Sequence, residues 1–162
     1  MHVSVYEFIR RCANQFTFPP GNGPVLDVGG LNVNGTARDH FAGYAYTSLD
    51  MREGSGVDVV ADASAMPFPD ASFRTVVTSS MLEHDRTPWL TAAEIARDRE
   101  PGGHLIVTAP GNGWPHHEYP DDIWRFSVPA FDSLFGQWYR WILLEEVNEG
   151  EGPDVRGFGV RL

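Results

Sequence analysis

The chain has 162 residues and a hydrophobic fraction of 42%, which suits one domain with a single core rather than a disordered polymer. Its net charge of −10 disfavours a broad grip on a polyanion, since such binding needs many cations to neutralise phosphates. A single cysteine, Cys12, excludes an internal disulfide and a multi-thiolate zinc site, and the lack of lysine excludes Schiff-base and P-loop lysine chemistry.

No apolar run approaches the roughly 20 residues that span a bilayer. Glu7, Arg10 and Arg11 interrupt any signal-peptide pattern near the N-terminus. The expectation is a cytoplasmic protein without a membrane partner. Ser4 and Glu7 stand at capping-box spacing, and Val5, Phe8, Ile9, Cys12 and Phe16 recur on one face, which predicts a helix within residues 1–18. Pro19 to Pro24 breaks it. Val25 to Val28 reads as a strand running into Gly29-Gly30, Thr36 to Phe41 as a short helix, and Tyr44 to Leu49 as a second strand ending at Asp50. Val57 to Val60 makes a third strand ending near Asp62, and Met66 to Phe73, with two prolines, a loop.

Thr75 to Ser79 is a β-branched fourth strand. Thr87-Pro88 opens a helix that Pro101-Gly102-Gly103 is expected to close. Leu105 to Ala109 is a fifth strand, followed by a long loop over residues 111–127. Ser127 can cap a helix bearing Phe131, Leu134, Phe135 and Trp138, and Trp141 to Val147 with Val155 to Val160 form a closing strand pair. Strands alternating with helices predict a single α/β domain, with a mostly parallel sheet covered on both faces.

In such sheets ligands bind beyond the carboxyl ends of the strands. Four features fall there. The turn Asp27-Val28-Gly29-Gly30 places an acid inside an apolar strand, where it needs a partner such as a ligand ammonium or backbone N–H groups. Asp50 follows the glycines by about 20 residues, the spacing at which an acid accepts both hydroxyls of an adenosine ribose; the plain alternative is a turn aspartate. Asp62-Ala63 follows the third strand, and Ser79 to Asp85 follows the fourth.

Taken with their order, these residues resemble a known family. Asp62 to Phe73 (DASAMPFPDASF) resembles the "DA..LPFPD.SFD" stretch of class I S-adenosylmethionine-dependent methyltransferases of the type 11 kind. Met81-Leu82-Glu83-His84 resembles their "VLEH", and Pro101-Gly102-Gly103-His104-Leu105 their "KPGG.L". The resemblance covers roughly residues 20 to 130. It implies a Rossmann-like sheet of seven strands, the last antiparallel, binding S-adenosyl-L-methionine across the strand ends. Asp27 and the turn Gly29, Gly30, Leu31 would hold its amino acid end, Asp50 with Met51 the ribose, and Asp62 with Ala63 the adenine. Ser79, Met81 and His84 would line the floor near the sulfonium.

The sequence departs from that family in two places. Leu31 and Val33 occupy the later glycine positions of its usual loop, and Gly35 would instead supply the turn in an Asn32-Val33-Asn34-Gly35 variant that resembles a subgroup often found near glycan or natural-product genes. Asp98 and Arg99 replace an apolar pair before Pro101. A dinucleotide fingerprint needs glycines that this loop lacks. Nucleic-acid acceptors are disfavoured by the acidic charge and by Ser79-Ser80-Met81-Leu82, which stands where an Asn-Pro-Pro-Tyr type motif would be.

The expected acceptor is an oxygen or nitrogen of a small molecule or glycan. A hydroxyl acceptor needs a general base, and His84, His116 and His117 are the candidates. The loop carrying the last two also holds Glu118, Asp121, Asp122 and Arg125, which either form a lid or pair locally. A magnesium site from His116, His117, Glu118 and Asp121 is conceivable, but clustered acids and histidines are more often solvated, so no metal is expected. The rival to an enzyme is an inactive cofactor-binding module serving as a partner or regulatory subunit.

Overall fold

Short apolar runs bounded by glycine, proline and acidic residues pair into one seven-stranded sheet in the computed structural model, which describes residues 2–15, 23–117, 121–149 and 152–162. The first half of the chain forms α1 (Val3–Gln15), β1 (Val25–Val28), a 3-10 turn (Ala37–His40), β2 (Tyr46–Asp50), β3 (Val59–Val60) and β4 (Phe73–Ser79). A second 3-10 turn (Leu82–His84) follows, then α2 (Pro88–Asp98), β5 (Arg99–Pro110), α3 (Val128–Phe135), β6 (Tyr139–Asn148) and β7 (Pro153–Arg161). The sheet order is β3-β2-β1-β4-β5-β7-β6. Strands β1 to β5 pair in parallel, and β7 runs antiparallel to both β5 and β6. This is the expected doubly wound sheet with an antiparallel last strand.

Successive side chains of a strand point to opposite faces, so the sheet separates two cores. Val76 and Leu105 join α2 and α3 in one, with Ile95, Phe131 and Phe135. Val77 and Ile106 join α1 in the other, with Phe8, Ile9 and Cys12. His104 is buried and stacks on Phe158 at 5.4 Å, as a structural histidine should. Among the described residues no helix is long and apolar enough to cross a membrane.

Four local expectations need correcting. The first helix begins at Val3 with the His2 carbonyl accepting the Tyr6 N–H, so Ser4 sits inside the first turn and caps nothing; Glu7 pairs with Arg10 instead. Phe16 to Phe18 lie outside the described residues. Thr87 makes no side-chain cap; rather, the Asp85 carboxylate accepts the Thr87 N–H at 2.8 Å. Trp138 lies beyond the end of α3, although Ser127 does cap that helix through the Ala130 N–H.

The fourth correction is the largest. Helix α2 stops at Asp98, and Pro101-Gly102-Gly103 lies within β5, where the pairing steps from Phe73–Arg99 to Thr75–His104. These residues make a bulge, not a helix stop. Asp98 and Arg99, the unexpected polar pair, are both fully buried. The Asp98 carboxylate meets Arg97 at 2.7 Å, and the Arg99 guanidinium lies 4.2 Å from the Tyr139 ring. Arg97 also donates to the Phe68 and Met66 carbonyls, tying the Met66–Phe73 loop to α2. The motif there thus has a structural task.

Within the bulge, Gly102 has φ +71 with open space around it, whereas a Cβ on Gly103 would lie 2.4 Å from the Arg74 carbonyl oxygen. Gly103→Ala is expected to cost roughly 1–3 kcal/mol of stability by overpacking, while Gly102→Asn, which tolerates that φ, leaves the urea midpoint nearly unchanged. Equal midpoints for the two variants would contradict this account of the bulge.

Candidate active site

The sheet order reverses between β1 and β4, so the chain leaves these neighbouring strands in opposite directions and opens a crevice above them. A cleft of about 570 Å³ lies there. Its walls are the turn after β1, the end of β2, the segment after β3, the turn after β4, and parts of the loop after β5.

Gly29 and Gly30 both donate backbone N–H groups to the Leu49 carbonyl, at 2.8 and 3.1 Å, which pins the first turn to β2. Gly29 has φ +82, and a Cβ there would strike Met81 at 2.3 Å. A Cβ on Gly30 would lie 2.1 Å from Ser48 Oγ and 2.8 Å from Asp27 Oδ2. The glycines therefore serve close packing within the protein. The Leu31 N–H donates to Asp50 Oδ2 at 3.3 Å and the Arg52 N–H to Asp50 Oδ1 at 3.0 Å, which aims the Asp50 carboxylate along the cleft wall. Asp62 Oδ1 accepts from the Ser64 N–H and hydroxyl, bonds that hold its carboxyl below the usual range.

Of the residues expected to bind a cofactor, Gly29, Leu31, Asp50, Met51, Asp62, Ala63, Met81 and His84 line the cleft. Three do not. Asp27 is buried beneath the turn, accepting the Tyr46 hydroxyl at 2.7 Å, because β1 directs its side chain into the sheet's covered face. Gly30 faces Asp27 and Ser48. Ser79 gives way to Ser80, whose φ of +49 turns it towards the cleft in a sparsely populated conformation.

The opposite wall holds histidines. The His84 Nδ1 stands 2.8 Å from the Asp121 carbonyl oxygen, which can only accept, so Nδ1 carries the proton and Nε2 is bare. Burial lowers the His84 pKa, keeping the ring neutral. His117 comes from the loop after β5; its backbone N–H donates to Asp122 Oδ2 at 2.8 Å and its Nε2 reaches 3.3 Å from that of His84. Asp122 is clamped by Arg125, which holds its carboxyl well below the usual range. His116 does not line the cleft: its side chain is 66% exposed and turns to Asp122 at 2.9 Å. Both rings approach Asp122 Oδ2, His116 from outside the cleft and His117 from its wall. Glu118 lies outside the described residues, and His116 and Asp121 are not gathered with His117 into the suggested metal group.

Glu83 also belongs to the cleft wall, although the sequence does not single it out. Its side chain is 1% exposed, lines the cleft, and burial pushes its carboxyl up to about 8. Its carbonyl accepts the Ile123 and Trp124 N–H groups at 2.8 and 3.2 Å, fastening the long loop to the turn after β4. An acid beside a histidine in a post-strand turn is a weak signal for it. Asp154 at the start of β7 and Trp114, whose ring meets His2 at 4.7 Å, complete the wall.

The family model described as "Methyltransferase domain" matches residues 26–107, the segment that builds the turn, both acid positions and β4–β5. The chain belongs to the methyltransferase domain family. It is 31% identical over 136 residues to a 2-methyl-6-phytyl-1,4-hydroquinone methyltransferase of Synechocystis, which covers 75% of this chain and 42% of that one. It is 30% identical over 107 residues to an uncharacterized methyltransferase of Mycobacterium tuberculosis, covering 56% of this chain and 40% of that one. The chain thus spans about two fifths of the length of these curated relatives. In fold it is similar to the 1,6-didemethyltoxoflavin-N1-methyltransferase of Burkholderia thailandensis, with TM-score 0.78 and 15% identity, over 98% of this chain and 78% of that one.

The buried acid of this methyltransferase domain has a measurable signature. Burial pushes the Asp27 carboxyl up to about 6 from its ordinary value of 3.8, against the opposing bond from Tyr46. The fold therefore favours the protonated acid, a contribution complete below about pH 4 and lost as pH rises through 6. Asp27→Asn keeps an acceptor for Tyr46 and removes that dependence. In chemical denaturation from pH 3.5 to 7.5, the wild type is expected to lose stability relative to the variant as pH rises through this window. A constant difference would contradict the buried-acid assignment.

Proposed function

We propose that the chain binds S-adenosylmethionine in this cleft and transfers its methyl group to an oxygen or nitrogen of a small molecule or glycan. The observation that carries this reading is the cleft's charge. Five acids, Asp50, Asp62, Asp85, Asp121 and Asp154, line it against two arginines, Arg52 and Arg86, beside Glu83, whose carboxyl is favoured in its protonated form by burial. Such a wall repels the phosphates of a dinucleotide and suits a ligand with a sulfonium and an ammonium. Support comes also from the Burkholderia structure, which holds S-adenosylhomocysteine and a small-molecule acceptor.

S-adenosylmethionine supplies an electrophilic methyl group on a positively charged sulfur. On this side of the cleft, Asp50 accepts the ribose hydroxyls beside Met51, and Asp62 with Ala63 receives the adenine. The turn of Gly29 and Leu31 takes the amino acid end, with Asp27 holding that turn from beneath. Met81 and His84 stand near the sulfur. Across the cleft, His84 presents a bare ring nitrogen to the acceptor's proton, and His117 stands beside it. The bound cofactor would supply the methyl carbon to an acceptor lone pair, with the carbon–sulfur electron pair left on sulfur. Walls that align these groups and displace water supply most of the acceleration.

Calorimetric titration with S-adenosylmethionine and S-adenosylhomocysteine tests the first half. Both are expected to bind, and Asp50→Ala to weaken them about 10–100-fold, the loss of charge-assisted acceptors for two hydroxyls. No binding, or binding indifferent to Asp50→Ala, would reject the site. His117→Ala should keep cofactor affinity while slowing methyl transfer to an acceptor found by screening. Undiminished turnover would remove His117 from the mechanism.

A further inference from the structure

We infer that Glu83, His84 and His117 form a binding site for a divalent transition-metal ion of the zinc or ferrous type on the acceptor side of the cleft. The site itself stands on geometry; only its use in catalysis rests on the methyl-transfer reading. His84 Nε2 lies 3.3 Å from His117 Nε2 and 3.7 Å from Glu83 Oε1, and His117 Nε2 lies 4.0 Å from the same oxygen. Ligand atoms each about 2.1 Å from one tetrahedral ion stand about 3.4 Å apart. The triangle thus needs only a slight contraction to close around an ion.

The protons of the group point the same way. The Asp121 carbonyl fixes the proton of His84 on Nδ1, leaving Nε2 bare. His117 Nδ1 stands 3.3 Å from Asp122 Oδ2 without a hydrogen bond, while its Nε2 lies within hydrogen-bond distance of the bare His84 Nε2. When an ion binds, the His117 proton is carried on Nδ1 beside Asp122, which frees Nε2 to coordinate. Two ring nitrogens and a carboxyl oxygen converge, and a cation that binds them displaces the protons they hold. Glu83 Oε2 is likewise buried without a hydrogen-bond partner. A cation resolves this convergence. Histidine ligands held at the far nitrogen by a carbonyl or a carboxylate are the usual outer support of such ions.

The ligand set selects the metal. Two imidazoles and one carboxylate suit zinc, iron, cobalt or nickel, whereas magnesium and calcium prefer oxygen throughout. Three protein ligands leave a coordination position open, and because all three residues line the cleft, it faces the acceptor. The ligands are held in place by backbone bonds: Glu83 and His84 share one 3-10 turn, and the Ile123 and Trp124 N–H groups bind the loop carrying His117 to the Glu83 carbonyl. If the cleft transfers methyl groups, an acceptor hydroxyl on the ion loses its proton to water in the cleft. Its oxygen then forms the bond to the methyl carbon while the carbon–sulfur pair stays on sulfur. The ion replaces the free imidazole as the activating group.

The test is to strip the purified chain with a chelator and titrate it with Zn²⁺ by calorimetry and with Co²⁺ by visible absorption. One equivalent is expected, with the cobalt bands of a low-coordinate site. His117→Ala, a half-buried position that can be checked for folding by circular dichroism, and Glu83→Gln should each weaken Co²⁺ binding by more than about tenfold. His116→Ala, which removes an exposed histidine outside the cleft, should not. No saturable binding, or binding that survives both His117→Ala and Glu83→Gln, overturns the site. Titrating the same preparations with S-adenosylhomocysteine separates the two ideas. Cofactor binding without metal binding sinks the ion alone, and metal binding without cofactor binding sinks the methyl-transfer reading alone.

Discussion

Parallel pairing of β1 with both β2 and β4 forces the chain to leave the sheet in opposite directions after residues 28 and 79, and the chemistry of the molecule is arranged around that divergence. Neither departing segment can cover the strand ends, so a crevice is left whose walls are turns rather than regular structure. The first turn is drawn onto β2 by two N–H groups on the Leu49 carbonyl, and Asp50 then secures the next residue. Tight packing behind the turn, with Asp27, Ser48 and Met81 against two glycines, makes that wall rigid.

The opposite wall depends on a contact far apart in the chain. The Glu83 carbonyl receives two N–H groups from residues 123 and 124, and Trp124 Nε1 donates to the Asp85 carbonyl at 2.7 Å. The loop after β5 is thereby folded back over the turn after β4, and Arg125 locks Asp122 under His117. Of the two expectations for this loop, local pairing is what the structure displays. Its acids and Arg125 do pair locally, and in doing so they present a histidine to the cleft.

Acids outnumber arginines in the crevice; on the acceptor side Asp121 pairs with Arg86 and Asp122 with Arg125, whereas Glu83 Oε2 is buried without a hydrogen-bond partner. Burying Glu83 beside Asp122 and Asp154 is costly unless a proton or a cation accompanies it. At the junction of α2 and β5, Asp98 has the Arg97 guanidinium beside it and Arg99 the Tyr139 ring, although neither side chain gains a hydrogen bond there. The first arrangement invites a positively charged guest, and the second holds a helix to the sheet.

Local physics made most of the fold legible in the sequence. Runs such as Thr75 to Ser79 are strands because β-branched side chains suit a pleated surface, and the acids after β2 and β3 were placed because each ends such a run. Pro101-Gly102-Gly103 misled because the same residues that stop a helix also make a bulge, and only the pairing partner decides between them. Tertiary structure alone settled which side of a segment faces the cleft. It separated His117 from His116 and Ser80 from Ser79, and it turned Asp27 inward. Each of these is a one-residue or one-face choice that composition and spacing leave degenerate. The meeting of Glu83 and His84 with His117 is of the same kind, since it joins positions 33 residues apart through a loop whose path is set by hydrogen bonds to a carbonyl elsewhere in the chain.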